Sequence, residues 1–377
     1  MKNKAVRILS AILAACAVLA MTSCRKTESP EDTETARDTS GATVESAPAS
    51  GEPKYTNPLT GLECDTDLSL KRPASIMVNN IWQSLPQEGI SHADIMYECL
   101  AEGGITRLMM ISQEYEKLPQ VGSVRSARDY YIDYAQSYDC IFVHAGGSTY
   151  AYDTIEQRNI DNIDGVNGPG SLYEQTGTFI RDPERLKTYS REHTLMVQSG
   201  EGIKNAAEFL NYRTEKQSSA PAPMNFAKWG EKTVLNDKAK HIRVVMSAYQ
   251  QVDYVYDADS GKYLRYQYDG EPHMDSANNT QLLFENVILM FTETGNISGD
   301  EKARIWVGTT GSGTGWYITG GTYQKIKWEK SSFDSVIKYT FEDGSQVPLN
   351  RGQTMINVVP SYNADQVVFD DDVSVTE

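Results

Sequence analysis

Apolar and polar positions change rhythm along the 377-residue chain, and each change predicts a different kind of structure. From residue 55 to about 215, short apolar runs alternate with polar, helix-compatible stretches. Ala74 to Val78 ends in the pair Asn79-Asn80. Asp94 to Leu100 alternates into Glu98 and Glu102, and Gly103-Gly104 turns the chain into Ile105 to Ser112. Each of these runs predicts a strand. Arg125-Ser126-Ala127-Arg128 heads a predicted helix, Cys140 to Val143 reads as a buried strand, and Ser148 to Arg158 as another helix. In Glu201 to Asn211, Ile203, Ala206, Ala207 and Leu210 share one helical face. Strands separated by helices predict an α/β layer.

Past the linker at 216–225, which contains KQSSAPAP, the texture becomes strands and hairpins up to residue 362. Val252 to Tyr256 and Tyr263 to Tyr268 flank Asp257-Ala258-Asp259-Ser260-Gly261 as a hairpin. Asn286–Phe291, Ile305–Val307, Gly315–Ile318, Tyr323–Trp328 and Val336–Phe341 continue the alternation, with turns at Gly320-Gly321 and Asp343-Gly344. The expected fold class is α+β or α/β: an N-terminal α/β domain at 55–215, then a smaller β-rich domain at 226–362 built as an antiparallel sheet or barrel. Residues 363–377, with Asp370-Asp371-Asp372, are expected to be a solvated acidic tail.

The amino terminus carries a different pattern. A basic start precedes the apolar run Ile8 to Met21, then Thr22-Ser23-Cys24 and an abrupt turn to polar residues. The run is too short for a membrane span of about 20 residues and predicts a signal peptide over 1–23. Small residues just before Cys24 resemble a bacterial lipobox, with Met21 an unusual residue three positions before the cysteine; the resemblance implies diacylglyceryl transfer to Cys24 and a lipid anchor on the outer face of the cytoplasmic membrane. Residues 24–54, rich in Ser, Thr, Glu, Pro and Ala, are expected to form a disordered tether.

The formal charge is −16, and removing the leader also removes Lys2, Lys4 and Arg7. So acidic a chain repels nucleic acid, which is excluded as a partner. Cys64, Cys99 and Cys140 remain after Cys24, an odd number without CxxC spacing, and are expected to be free.

Candidate chemistry gathers at predicted strand ends, where α/β sheets place their pockets. Arg125 and Arg128, three apart on the predicted helix, would share a face and clamp a phosphate or carboxylate; the alternative is pairing with Glu98, Glu102 or Asp129. His144 precedes Gly146-Gly147-Ser148, whose amides could line the same pocket. His144, His193 and Glu102 are the candidate acid/base residues. Asn79, Asn80, Glu98, Arg107, Arg125, Ser126, Arg128, Gly146, Gly147 and Ser148 are the candidate ligand-binding residues. No cofactor is expected. Gly311–Gly315 lacks the ending of a phosphate loop, Asp257-x-Asp259-x-Gly261 misplaces the glycine of a calcium loop, and His273-x-Asp275 lacks a third ligand, so no metal site is predicted.

The runs Asn57-Pro58-Leu59-Thr60-Gly61, Met77-Val78-Asn79-Asn80, Glu102-Gly103-Gly104-Ile105-Thr106-Arg107, Gly122 to Arg128 and Val143 to Ser148 form a set, which Trp328-Glu329-Lys330 and Arg351-Gly352-Gln353-Thr354 carry into the second region. Together they resemble the YerB-like lipoproteins of Gram-positive bacteria, a domain-of-unknown-function family. The match departs at Arg191-Glu192-His193-Thr194-Leu195, where the family more often has a Pro-His-Asn-Leu-like run. The resemblance implies an extracytoplasmic, two-domain lipoprotein and supplies no activity. The residues point to a membrane-anchored binder of an anionic or sugar-like envelope component, such as a cell-wall fragment, or of an envelope protein partner. The alternatives are a hydrolase acting on a cell-wall or phosphodiester substrate, and a scaffold with no small ligand.

Overall fold

Six consecutive buried residues, Ala74–Asn79, form the first strand of the sheet that organises the molecule (β1). The computed structural model describes residues 42–46, 51–169, 175–216 and 222–371. Ile95–Leu100 (β2) and Thr106–Ser112 (β3) follow as an antiparallel pair, and Ile141–His144 (β4) and Asn162–Asp164 (β5) extend the sheet in parallel beyond β1. Four further strands come from the C-terminal region: Asn286–Thr292 (β6), Gly311–Thr319 (β7), Thr322–Lys330 (β8) and Thr354–Pro360 (β9). All belong to one 11-stranded sheet in the order 237–238, β8, β7, β6, β9, β2, β3, β1, β4, β5, with 338–340 beside β8. The N-terminal domain is a mixed α/β sheet and the C-terminal domain is β-rich, as expected. No edge separates them, because β9 pairs in parallel with β2 on one side and β6 on the other.

Alternation along these strands makes two core layers. Ile76, Val78, Met96, Leu108 and Met110 face one layer, shared with a second antiparallel sheet that contains Ile242, Val244, Tyr254 and Phe284. Met77, Tyr97, Cys99, Met109 and Ile111 face the other, against the tyrosines of helix α1, Asp129–Gln136. There Tyr131 Oη donates to the Arg107 carbonyl at 2.6 Å and accepts from Cys99 N at 2.9 Å, so the hydroxyl is satisfied although buried. Helix α2, Thr149–Arg158, starts where Ser148 Oγ accepts from Ala151 N at 3.0 Å. Helix α3, Gly200–Phe209, buries Ile203, Ala206 and Ala207, the predicted face.

Two expectations are corrected. Within the expected tether, Thr43–Ser46 pairs with Glu231–Val234 as a two-stranded sheet, because an extended segment there satisfies backbone groups that an edge strand leaves open. Within the expected tail, Val368–Asp370 pairs with His241–Arg243, and Phe369 stacks on Tyr323 at 3.8 Å between centroids. Of the two arrangements expected for the C-terminal region, the sheet is found rather than the barrel: most of its strands divide between the large sheet and the second sheet, and short two-stranded pairs take the rest. The leader, Cys24 and linker residues 217–221 lie outside the described residues, and Cys64, Cys99 and Cys140 are free.

Asp94, just before β2, accepts from Gln113 N at 2.6 Å, and burial pushes its carboxyl up to about 6. The folded chain therefore holds this proton more tightly than the unfolded chain, whose aspartate titrates near 3.9. Stability from this group is fullest below the lower value and declines as pH rises from about 4 to about 6. Asp94→Asn should remove roughly 1–3 kcal/mol of that decline, read by urea unfolding at pH 4, 5, 6 and 7. Parallel pH profiles for the two proteins would exclude Asp94 as its source.

Candidate functional site

Six strands, β5, β4, β1, β2, β9 and β6, run in the same direction, and the candidate residues cluster along the carboxyl edge of the first four. The segment predicted to begin a helix is extended instead. Arg125 N donates to the Met77 carbonyl at 2.9 Å, Ala127 N to Gly146 O at 2.8 Å, and Val124 bridges Val78. Arg128 is itself extended, at φ −130 and ψ 147, and the helix begins at Asp129. Arg125 and Arg128 therefore share no helical face. The open strand ends take up the backbone of this segment before a helix can use it.

The extended course still brings arginines together. Arg128 Nε donates to Glu102 Oε1 at 2.5 Å, and Arg107 Nη2 approaches Glu102 Oε2 at 3.5 Å. Arg107 Nη1 is held by the Ser126 carbonyl at 2.5 Å, while its buried Nε has no partner among the described residues. Burial and the neighbouring Arg128 charge push Arg107 down to about 10. Burial acts to raise the Glu102 carboxyl, but the hydrogen bond from Arg128 and the charges of both arginines outweigh it and hold the group below its ordinary value. Arg125 has no ion pair among the described residues; burial lowers its pKa, Glu192 opposes that, and Arg128 adds to it.

His193 joins this cluster. Asn79 Nδ2 donates to its Nδ1 at 2.9 Å, which leaves the neutral ring's proton on Nε2. Burial, then the Arg125 charge, lowers its pKa. His144 does not join. It is fully buried, with Nδ1 on the Gly146 carbonyl at 2.8 Å, Nε2 on Asn162 Oδ1 at 3.1 Å and Asp164 at 3.9 Å. The glycine loop is also committed inwards: Gly146, at φ +72, gives its N–H to Asp164 Oδ1 at 2.7 Å, and Ser148 N donates to Ala127 O. Gly146, Gly147 and Ser148 thus shape the edge of the site without offering an amide cradle at Gly146 or Ser148.

Asn80 and Glu98 belong to a different structure. Strand alternation sends Asn80 to the face opposite Asn79. There Glu98 Oε1 accepts from Asn80 Nδ2 at 3.2 Å and Thr106 Oγ1 at 2.7 Å, and Oε2 accepts from Arg265 Nη2 at 2.7 Å and Asn357 Nδ2 at 2.9 Å. Glu98 and Arg265 are both wholly buried. Arg265 also meets His273 Nδ1, whose ring is kept neutral by burial and by the arginine charge, and His273 Nε2 meets Gln87 Oε1 at 2.9 Å. Sequence reasoning missed Arg265, Gln87 and Asn357, and weighed His273 only as a metal ligand. One signal was available: in the Lys262–Gln267 strand, alternation puts Arg265 on the same inward face as Tyr263 and Gln267.

An α/β and a β-rich region joined in one sheet, with an arginine cluster at its carboxyl edge, define the class, and comparison with known proteins places it. Residues 59–213 match the N-terminal domain, and 242–356 the C-terminal domain, of the family described as Protein of unknown function (DUF3048), and the chain belongs to that family. It is 30% identical over 315 residues to "Putative lipoprotein YerB" of Bacillus subtilis, covering 82% of this chain and 88% of the relative. The crystal structure of YerB from Bacillus subtilis superposes with a TM-score of 0.71 at 28% identity, covering 84% of this chain and 99% of that one. Among the described residues, no helix is long and apolar enough to cross a membrane.

Proposed function

We propose that this protein is a membrane-anchored lipoprotein whose carboxyl-edge cluster binds the phosphate or carboxylate of an envelope component. The relative named as a lipoprotein and the lipobox at Cys24 support the anchoring. The observation that carries the binding reading is the charge imbalance: three arginines, Arg107, Arg125 and Arg128, face two carboxylates, Glu102 and Glu192, and the guanidinium fork of Arg125 forms no ion pair among the described residues. A fork of that kind matches oxyanions bidentately, and holding it partly buried without a partner costs stability that a ligand would recover. Asn79 and His193 Nε2–H add neutral donors beside it. The hydrolase alternative rests on His193, oriented by Asn79, as acid or base. Binding asks less of the site, since it needs the donors alone.

Titrating the purified full chain with inorganic phosphate by calorimetry tests this reading. Arg125→Gln should weaken binding about tenfold or more, as expected for a lost charge-assisted contact of about 1.5–3 kcal/mol. The thermal midpoint should hold or rise, because Arg125 makes no ion pair to lose and the cost of burying its charge is removed. Unchanged affinity in the variant, or no phosphate binding by the parent chain, would overturn it.

A further inference from the structure

The loop that follows Asn79-Asn80 forms one wall of a second cleft, between the two halves of the chain. Trp82, Leu85 and Pro86 face Tyr268, Pro272 and Met274 across about 340 Å³. Trp82 is 60% exposed, large for an indole held in a short turn, and its ring meets Tyr268 edge-on at 5.7 Å. Tyr268 is fixed in turn by its hydroxyl on the Asn80 carbonyl. Gln267 borders the same cleft; its side chain is buried and its amide nitrogen has no hydrogen-bond partner among the described residues. A buried amide donor without an acceptor is costly, and the exposed indole lining the same cleft is a ready stacking surface. The cleft also lies at a domain junction and falls within the size range of small-ligand sites.

This wall is tied to the arginine site. Arg185 donates from Nη2 to the Ser84 carbonyl at 2.7 Å, from Nη1 to Pro86 O at 3.0 Å and from Nε to His193 O at 3.2 Å. One guanidinium therefore fixes the Trp82 loop relative to His193 and so to Asn79.

We propose that the cleft is a saccharide subsite for a neutral N-acetylated sugar ring. Trp82 stacks on the apolar face of the ring, the acetamido methyl lies among Pro86, Pro272 and Met274, and the acetamido carbonyl accepts from Gln267 Nε2. A proline-rich peptide would also lie on Trp82, but its extended helix advances about 3.1 Å per residue and asks for a longer groove. The cleft stands on its own geometry; that one ligand, an anionic glycan, spans both cleft and arginine cluster rests on the anion-binding reading above.

Calorimetric titration of the purified full chain with the trimer of N-acetylglucosamine, and separately with inorganic phosphate, tests the two sites independently. Trp82→Ala should weaken trimer binding at least tenfold and leave phosphate binding unchanged; Arg125→Gln should do the reverse. Trp82 is exposed, so its replacement should leave the fold intact, checked by the thermal midpoint. The proposal is overturned if the parent chain does not bind the trimer, if Trp82→Ala binds it equally well, or if a proline-rich decapeptide binds in a Trp82-dependent way and the trimer does not. Trimer binding lost in Trp82→Ala without any phosphate binding would sustain the subsite and remove the anion reading. Phosphate binding without trimer binding would do the opposite.

Discussion

Glu98→Ala is expected to destabilise the protein by about 3–5 kcal/mol, the usual cost of stranding one member of a buried ion pair. Glu98 and Arg265 are both fully buried, and neither has water to fall back on. Without the carboxylate, the Arg265 charge stays buried beside the neutral His273, and the amides of Asn80 and Asn357 and the Thr106 hydroxyl each lose an acceptor. Heat denaturation of the purified chain should show a midpoint lowered by roughly 10 °C. The paired replacement Glu98→Leu with Arg265→Met should recover much of the loss, since it removes both charges together. A loss below about 1 kcal/mol for Glu98→Ala would mean that the network does not hold the halves together.

A chain ending at residue 215 is expected not to fold into a stable monomer. The family's two domains meet inside one sheet, and β9, from the C-terminal part, is the neighbour that covers β2. Cutting the chain there would leave Ile95–Leu100, buried at every position, as an exposed apolar edge, the arrangement that pairs with other chains and aggregates. Size-exclusion chromatography and an amide NMR spectrum of the 55–215 piece should show aggregates or poorly dispersed signals. Co-expression with residues 226–371 should restore a soluble complex. A monomeric 55–215 piece with a dispersed spectrum and a cooperative transition would show that the sheet is divisible after all.

How far the site was legible depended on whether a residue's neighbours were local. The pattern at 122–128 drew attention to Arg125 and Arg128, yet read as a helix because Arg-Ser-Ala-Arg has helical spacing and nothing in it announces that Met77 and Gly146 will take its backbone. Glu98 read as a site residue because it precedes a turn at a strand end; its partner Arg265 lies 167 residues away. His144 read as a pocket residue from its place before two glycines, and the acceptors that hold it inwards, Asn162 and Asp164, come from the next parallel strand.

The strands, the 257–261 hairpin, the Ser148 helix start and the amphipathic face of 200–209 follow from alternation, turn residues and helical period, which are properties of neighbours along the chain. The order of strands in the sheet, the splitting of Asn79 from Asn80 and the meeting of three arginines depend on which distant segments satisfy each other's backbone groups. That choice falls to long-range pairing. A strand written near residue 354 completes the sheet begun near residue 74 because β2 needs a partner on its open side, and no local pattern records which segment will supply it.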